Sequence, residues 1–265
     1  MIRHRTALPA LLALASGFVA CATAPAASVP APTPATTPAQ PTLPRAAELI
    51  ARYQQAIGGT ANFASKKGMH ATGDFAVPSA GVTGNFELFS ARPNKMLMRV
   101  TMGGFGEIKT GYDGTVAWSV NPMEGPRLMQ DREKVQTADN ADFESVLRDI
   151  GRFRSVETVE RTTVAGRDCY KVRVVWQSDR ETFDCYSPES GLLVASLGQQ
   201  HTSMGVIDAV TLFDDYREFD GVRVATKVSM QVMGMEQVLT MREVRFTDVP
   251  ASTFELPAEI RALVH

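Results

Sequence analysis

The chain has 265 residues, of which 44% are hydrophobic and 21% are charged, and its formal net charge is −2. This composition is typical of a globular protein, and the near-neutral charge argues against a nucleic-acid partner, which would require a basic surface. Residues 45–265 are enough for one domain with a substantial core.

The N-terminus has the features of an export signal. The basic segment MIRHR precedes a short apolar run over residues 7–19, which is too short to span a membrane. We therefore predict a signal peptide over residues 1–20. The four residues 18–21, Phe-Val-Ala-Cys, resemble a bacterial lipobox, which would make Cys21 the site of lipid attachment. Cleavage by an ordinary signal peptidase at residues 22–24 is the alternative.

The segment that follows Cys21 is predicted to be a tether. Residues 22–44 contain seven of the 15 prolines and no charged residue, so they favour a semi-extended chain over helix or sheet. We assign residues 21–44 to a lipidated cysteine and a Pro/Ala/Thr-rich tether. Ala22, by resemblance to lipoprotein sorting in two-membrane bacteria, favours the periplasmic face of the outer membrane; the alternatives are the soluble periplasm or secretion.

The first predicted helix lies within residues 44–59, PRAAELIARYQQAIGG. Its apolar residues recur at helical spacing and so form one face. Pro44 stands near its start and Gly58 near its end, as is usual for helix boundaries. This pattern predicts an amphipathic helix that packs on a core.

Alternating strands dominate the next part of the chain. Apolar or small residues occupy every second position from 69 to 77 and from 82 to 88, including Phe75, Phe86 and Leu88. The next strand places a flexible row at the same spacing, namely Met96, Met98, Val100 and Met102. Strand cores ordinarily favour stiff β-branched residues. The row therefore indicates either an irregular core or a space that adapts to an apolar ligand.

Further strands and one more helix complete the pattern. The dipeptides Asp113-Gly114 and Asp220-Gly221 are hairpin signals, and the strand after the first of them carries Trp118. Residues 142–151, DFESVLRDIG, predict a second amphipathic helix with the stripe Phe143, Val146, Leu147 and Ile150. Many strands and few helices predict a mainly β (α+β) fold with a large antiparallel sheet curled around the helices.

Cys169 and Cys185 flank two predicted strands joined by a turn near residues 177–179. One register sets the two cysteines opposite each other and pairs Arg173 with Glu181. A register shifted by one residue puts the cysteines on opposite faces. In an exported chain we favour a disulfide between them, and the alternative is two buried free thiols.

Several motifs resemble the Lol lipoprotein carrier and receptor superfamily, whose members are LolA/LolB-like domains. The stretch GNFELFSARPNKMLMRV, followed by GYDGTVAWSVNPMEGPRLM, is similar to the core of that family. SPESGLLVASL, DYREFDGVRVATKV and FTDVPASTFELP are similar to its later strands. The resemblance implies that residues 45–265 form an incomplete antiparallel β-barrel with a helical lid or plug around an apolar cavity for acyl chains.

The resemblance also implies a set of ligand-binding residues. Arg92 of the Arg-Pro-Asn motif is expected at the barrel mouth, hydrogen-bonded to the lid. The alternative interpretation of the same motif is a solvated arginine at the end of a strand. The apolar residues are expected to face the ligand or, alternatively, to fill a core. The full expected set is Phe75, Phe86, Leu88, Arg92, Met96, Met98, Val100, Met102, Trp118, Phe143, Val146, Leu147 and Ile150.

The sequence offers little support for catalysis. His70 and His201 stand alone, and the chain contains no Gly-x-Ser-x-Gly, His-Glu-x-x-His or phosphate-binding glycine loop. We therefore expect a non-enzymatic envelope lipoprotein with no cofactor or metal. Its expected partners are acyl chains of lipoproteins or lipids, a periplasmic carrier or envelope protein, and the membrane through the anchor. The alternatives are an envelope-stress sensor or a structural module with a filled core.

Overall fold

Residues 42–264 are described by a computed structural model, and the predicted signal peptide, Cys21 and all but the last residues of the tether lie outside them. The described residues form a mainly β domain around one antiparallel sheet that is not closed into a barrel, as the sequence predicted. Its thirteen strands are β1 Gly68–Val77, β2 Val82–Ala91, β3 Lys95–Met102, β4 Gly106–Tyr112, β5 Ala117–Asn121, β6 Gly125–Leu128, β7 Phe153–Val164, β8 Arg167–Trp176, β9 Glu181–Tyr186, β10 Leu193–Thr202, β11 Gly205–Phe219, β12 Val222–Val232 and β13 Met235–Phe246.

Two meanders make up the sheet. The strand order is β6-β5-β4-β3-β2-β1-β13-β12-β11-β10-β9-β8-β7, so β1 and β13 are the only neighbours distant in sequence among the strands of residues 42–264. Tight hairpins join most neighbours, and the Asp220-Gly221 turn has positive φ at both residues, 48° and 76°. That conformation is the one that an Asp-Gly hairpin turn requires.

Four short helices and four 3-10 segments accompany the sheet in the described chain. The helices are α1 Ala46–Ala56, α2 Thr60–Ala64, α3 Asp131–Ala141 and α4 Ala258–Arg261. The 3-10 segments are Pro78–Ala80, Phe143–Leu147, Ile150–Arg152 and Ala251–Phe254. Helix α1 confirms the first helix prediction, whereas α3 was missed because its sequence, DREKVQTADNA, has too few apolar residues to give a helical stripe.

The predicted second helix over residues 142–151 is wrong. The segment forms two separate 3-10 turns, and Arg148 between them has a left-handed φ of 51°. Asp142 accepts a hydrogen bond from the backbone of Glu144, and Asp149 accepts one from the backbone of Gly151. Each aspartate therefore starts a new turn, and such local side-chain bonds compete with a continuous helix.

The main core lies between α1 and the sheet. Helix α1 buries Leu49, Ile50 and Tyr53, which are at most 5% exposed, against Val172 and Val174 of β8. Burial of each Leu or Ile side chain contributes about 1.5–3 kcal/mol. Helix α1 is therefore fixed to the sheet by apolar packing along its whole length.

The expected disulfide is not present. Cys169 and Cys185 are fully buried free cysteines, and their 2.6 Å separation is longer than an S–S bond of ~2.05 Å. Neither of the two alternative registers is formed, because β9 pairs Cys185 with Lys171 and Phe183 with Arg173. The turn lies at residues 177–179 as predicted, but the hairpin is centred on Ser178, so Cys169 is diagonal to Cys185 on the same face. Arg173 nevertheless reaches Glu181 diagonally, with Nη2 2.5 Å from Oε2.

Candidate ligand-binding cavity

A cavity of about 370 Å³ lies between the helical segments and one face of the sheet. Its roof comes from α1, α2, the end of α3 and the 3-10 segment at 143–147. Its floor comes from β1, β2, β3 and β8, and from the strands β10–β13. The apolar lining residues are Tyr53, Phe63, Met69, Leu88, Met96, Ala141, Phe143, Val146, Trp176, Leu193, Phe213, Tyr216, Val222, Val224, Ala225, Val228, Met241 and Phe246.

Four residues of the expected ligand-binding set line this cavity, namely Leu88, Met96, Phe143 and Val146. Val146 is 42% exposed while it also lines the cavity, so it lies where the cavity meets solvent. The sequence pattern therefore identified part of the floor on β2 and β3 and part of the roof in the 3-10 segment.

Several other expected residues share the cavity face without lining the cavity. Met98 is paired with Leu88, and Val100 is paired with Phe86, so their side chains point to the same side of the sheet. Phe75, Phe86, Met98, Val100 and Met102 nevertheless lie beyond the lining. The helices cover only one end of β1–β3, and the alternation cannot tell where along a strand that cover stops.

Phe86 fills space next to the cavity. It is 2% exposed, and a Cβ atom on Gly73 would lie 2.7 Å from its Cε1 atom. Gly73 therefore leaves the room into which the Phe86 ring packs. Met241, the partner of Gly73 on β13, does line the cavity. Phe86 and Gly73 accordingly form the packed border beside it.

Trp118 belongs to the opposite face of the sheet. It is paired with Gly111, which is paired in turn with Leu97, and Leu97 alternates with the cavity-facing Met96. Trp118 is 2% exposed in a separate core with Leu97 and Ile260 of α4. Trp118 therefore does not line the cavity, contrary to the expectation from the sequence.

The two remaining apolar residues of the second predicted helix also lie outside the cavity. Leu147 is buried in the main core, and Ile150 is 47% exposed. The expected continuous stripe does not form because the left-handed backbone of Arg148 ends the first 3-10 turn. Only the first 3-10 turn of this segment covers the cavity.

Arg92 connects the end of β2 to the roof. Its Nε donates to the carbonyl oxygen of Lys66 at 2.7 Å, and its Nη2 donates to that of Phe63 at 3.3 Å. Its Nη1 pairs with Glu144, and its guanidinium lies 5.2 Å from the ring centroid of Phe143. The arginine thus holds α2 and the 3-10 segment together at the side of the cavity, without lining it.

The polar residues behind the cavity were not predicted from the sequence. Nε of Arg148 lies 3.0 Å from Oδ2 of Asp184, which is fully buried. Tyr53 donates through its hydroxyl to the carbonyl oxygen of Val146, and Tyr216 donates to that of Leu193. Burial raises the pKa of Tyr53 to about 12 and also raises the pKa values of Tyr186 and Tyr216. All three tyrosines are therefore neutral at physiological pH.

Within residues 42–264, no group of three or more His, Cys, Asp or Glu side chains is placed to hold a metal ion. None of the helices in that range is long and apolar enough to cross a membrane.

Comparisons with known proteins identify the fold. No protein-family model matches the sequence, and no curated protein is detectably similar to it. Among solved structures, the chain is similar to a LolA superfamily protein from Nitrosomonas europaea, with 12% identity over 81% of this chain and 99% of that one and a TM-score of 0.53. It is also similar to a DUF1329 family protein from Desulfovibrio piger, with 14% identity over 78% and 95% of the two chains and a TM-score of 0.51.

The curved open sheet, the helices on one face and the apolar cavity between them define a class of half-barrel domains. Within that class the chain has the LolA-like fold, as its sequence motifs suggested.

Proposed function

We propose that this protein binds the acyl chain of a lipid or lipoprotein and acts in lipoprotein or lipid trafficking in the bacterial cell envelope. The observation that carries the proposal is the 370 Å³ cavity with its mainly apolar lining. Ligand sites in proteins are concave, mostly apolar and about 300–1,000 Å³ in volume. The LolA-like fold supports the same interpretation.

The size of the cavity favours a single chain. A dry apolar cavity of ~150 Å³ holds one benzene molecule, so 370 Å³ would hold about fifteen carbon atoms at the same density. Each buried CH₂ contributes ~0.8 kcal/mol, so ten buried carbons could supply ~8 kcal/mol before the costs of ordering. The flexible side chains of Met69, Met96 and Met241 suit a ligand without a fixed shape.

The N-terminal features extend this proposal to a location. We propose that Cys21 is lipidated and that residues 22–44 hold the domain at the periplasmic face of the outer membrane. Replacement of Cys21 with Ser should move the protein from the membrane fraction to the soluble fraction. A membrane fraction unchanged by this substitution would reject the lipid anchor.

Native mass spectrometry of the purified protein, followed by lipid extraction, tests the binding proposal. We expect co-purified acyl lipid in the wild-type protein and its loss from Met96→Glu, because a carboxylate in the cavity would be costly to bury beside an acyl chain. Thr101→Glu places the same charge on an exposed position of the same strand and should retain the lipid.

Binding of a fluorescent fatty acid gives a second measurement. The affinity should fall at least tenfold in Met96→Glu, while the circular dichroism spectrum remains that of the wild type. A module with a filled core predicts no binding by the wild-type protein and global unfolding of the Met96 variant. That pair of results would reject the proposed function.

A further inference from the structure

Arg148 places a largely buried cation at the wall of the apolar cavity. Its side chain is 14% exposed and lines the cavity together with Trp176 and Val146. It directly follows the 3-10 segment that forms the roof. Tyr53 and Gln54 of α1 hold this segment by donating to the carbonyl oxygens of Val146 and Leu147 at 3.0 and 3.1 Å. The position of Arg148 is therefore fixed by the helix above it.

The Arg148 guanidinium makes one ion pair but no hydrogen bond with the described residues. Its Nε faces the fully buried carboxylate of Asp184 at 3.0 Å, and Ser196 donates to the other oxygen of that carboxylate at 2.7 Å. The guanidinium also lies 5.5 Å from the ring centroid of Trp176. Among the described residues, its terminal nitrogens Nη1 and Nη2 have no hydrogen-bond acceptor. Most of the five N–H donors of the guanidinium thus remain available.

Arg148 stays charged in this position. Burial by itself lowers the pKa of the guanidinium, but the negative charge of Asp184, together with the neighbouring tyrosines, raises it above its ordinary value. A cation with free donors is therefore held against an apolar space. The terminal nitrogens, unlike Nε, are not fully buried, so a ligand in the cavity can reach their free N–H groups.

We propose that Arg148 binds the carboxylate of a single-chain fatty acid whose hydrocarbon chain occupies the cavity. This inference rests on the proposed function and names the chemical class of the ligand. The planar fork of a guanidinium matches the two oxygens of a carboxylate, and such paired contacts are among the stronger hydrogen bonds in proteins. The guanidinium would then join two carboxylates, with Asp184 at its Nε edge and the ligand at its free end.

Ser90 and Ser145 of the lining carry no charge, and four other polar side chains fit this assignment less well. The hydroxyls of Tyr53 and Tyr216 already donate to backbone carbonyl oxygens. Asn140 accepts a hydrogen bond from Arg180, and the carboxylate of Asp142 is paired with Arg152. These side chains are therefore engaged elsewhere.

Arg223 is the second arginine that lines the cavity, but it lies in an exposed position. Water and salt screen the charge of an exposed guanidinium far more than that of a buried one. Arg223 therefore serves as a matched control, since it has the same chemistry at the edge of the same space.

The test compares two ligands of equal length, tetradecanoic acid and tetradecanol, by calorimetry or by displacement of a fluorescent fatty acid. We expect the wild-type protein to bind the acid at least tenfold more tightly than the alcohol. Arg148→Met alone would leave Asp184 buried without a counter-ion, so the informative variant is Arg148→Met with Asp184→Asn. This variant should keep the alcohol affinity within twofold and lose the preference for the acid.

Two further variants sharpen the comparison. Arg223→Met should keep the preference for the acid, whereas Arg148→Lys, which keeps the charge but not the fork, should retain only part of it. If the folded double variant still prefers the acid, or if Arg223→Met loses that preference, the assignment to Arg148 is wrong. Equal binding of acid and alcohol by the wild type would also reject it. Binding of neither ligand would instead reject the proposed function.

Discussion

The hydroxyl of Tyr53 on α1 donates a hydrogen bond to the carbonyl oxygen of Val146 over 3.0 Å, across 93 positions of the sequence. This bond links the most firmly buried helix of the domain to the segment that covers the cavity. Because the same helix also holds Leu147 through Gln54, the roof depends on α1 for its position.

We predict that Tyr53→Phe loosens the roof without disturbing the sheet. A single hydrogen bond of this kind contributes about 1 kcal/mol, so a modest loss of stability in urea unfolding is expected. Hydrogen exchange should accelerate in residues 143–148. Tyr216→Phe removes a hydroxyl that donates within the sheet, to Leu193, and should leave exchange in residues 143–148 unchanged. Equal exchange of that segment in both variants would contradict the prediction.

The buried tyrosines predict a loss of stability at alkaline pH. Burial raises the pKa of Tyr53 to about 12 and raises the pKa values of Tyr186 and Tyr216, whereas an unfolded tyrosine has a pKa of about 10. Above that value the unfolded chain loses protons that the folded chain retains. The contribution of these groups is therefore fully present below about pH 10 and declines as the pH rises through the folded pKa values.

Urea unfolding between pH 8 and pH 12 measures this decline, and absorbance near 295 nm reports the tyrosinate. Tyr53→Phe should make the alkaline slope shallower, because one raised pKa is removed. An unchanged slope in this variant would show that Tyr53 does not contribute to the pH dependence.

Some of this architecture could be predicted from the sequence, and some could not. The period of two placed Leu88 and Met96 on one face, and the apolar stripe of α1 gave the first helix. No pattern in the sequence shows where along the strands the helices lie. Met96 lines the cavity, whereas Met98, two residues away on the same face, does not. The alternation determines which face of the sheet a residue lies on, but tertiary packing determines how far along the strands the helices cover that face.

The polar part of the site could not be predicted from the sequence for a different reason. Arg148 stands where a continuous helix was predicted, and its position depends on the break between two 3-10 turns. Its partner Asp184 lies in β9 between Phe183 and Cys185, in what looks like an ordinary alternation of apolar and polar residues. Charged residues of this kind are usually solvated, so only the fold shows that these two are buried together.

Gly73 provides a test of the packed border beside the cavity. In Gly73→Ala the new Cβ atom would lie 2.0 Å from the carbonyl oxygen of Thr240 and 2.7 Å from Cε1 of Phe86. Strain of this kind typically costs 1–3 kcal/mol, so the midpoint of urea unfolding should fall clearly. Gly103→Ala is the matched control, since nothing lies within 4 Å of a Cβ atom there. Equal stability of the two variants would show that the Phe86 ring does not depend on Gly73.

The two cysteines give the last prediction, which concerns their chemical state in the folded protein. Cys169 and Cys185 are fully buried, and the pKa of the Cys185 thiol is raised by its hydrogen bond with Cys169 and by burial. The same hydrogen bond lowers the pKa of the Cys169 thiol, so Cys169 is protected by its complete burial, whereas Cys185 is protected both by burial and by a scarcity of thiolate. We expect a water-soluble maleimide to label neither cysteine in the native protein. Both should be labelled after denaturation without a reductant, as peptide mass spectrometry can verify for each position. Labelling that requires prior reduction would show that the pair is oxidised, whereas rapid labelling of the native protein would show that this part of the sheet is open to solvent.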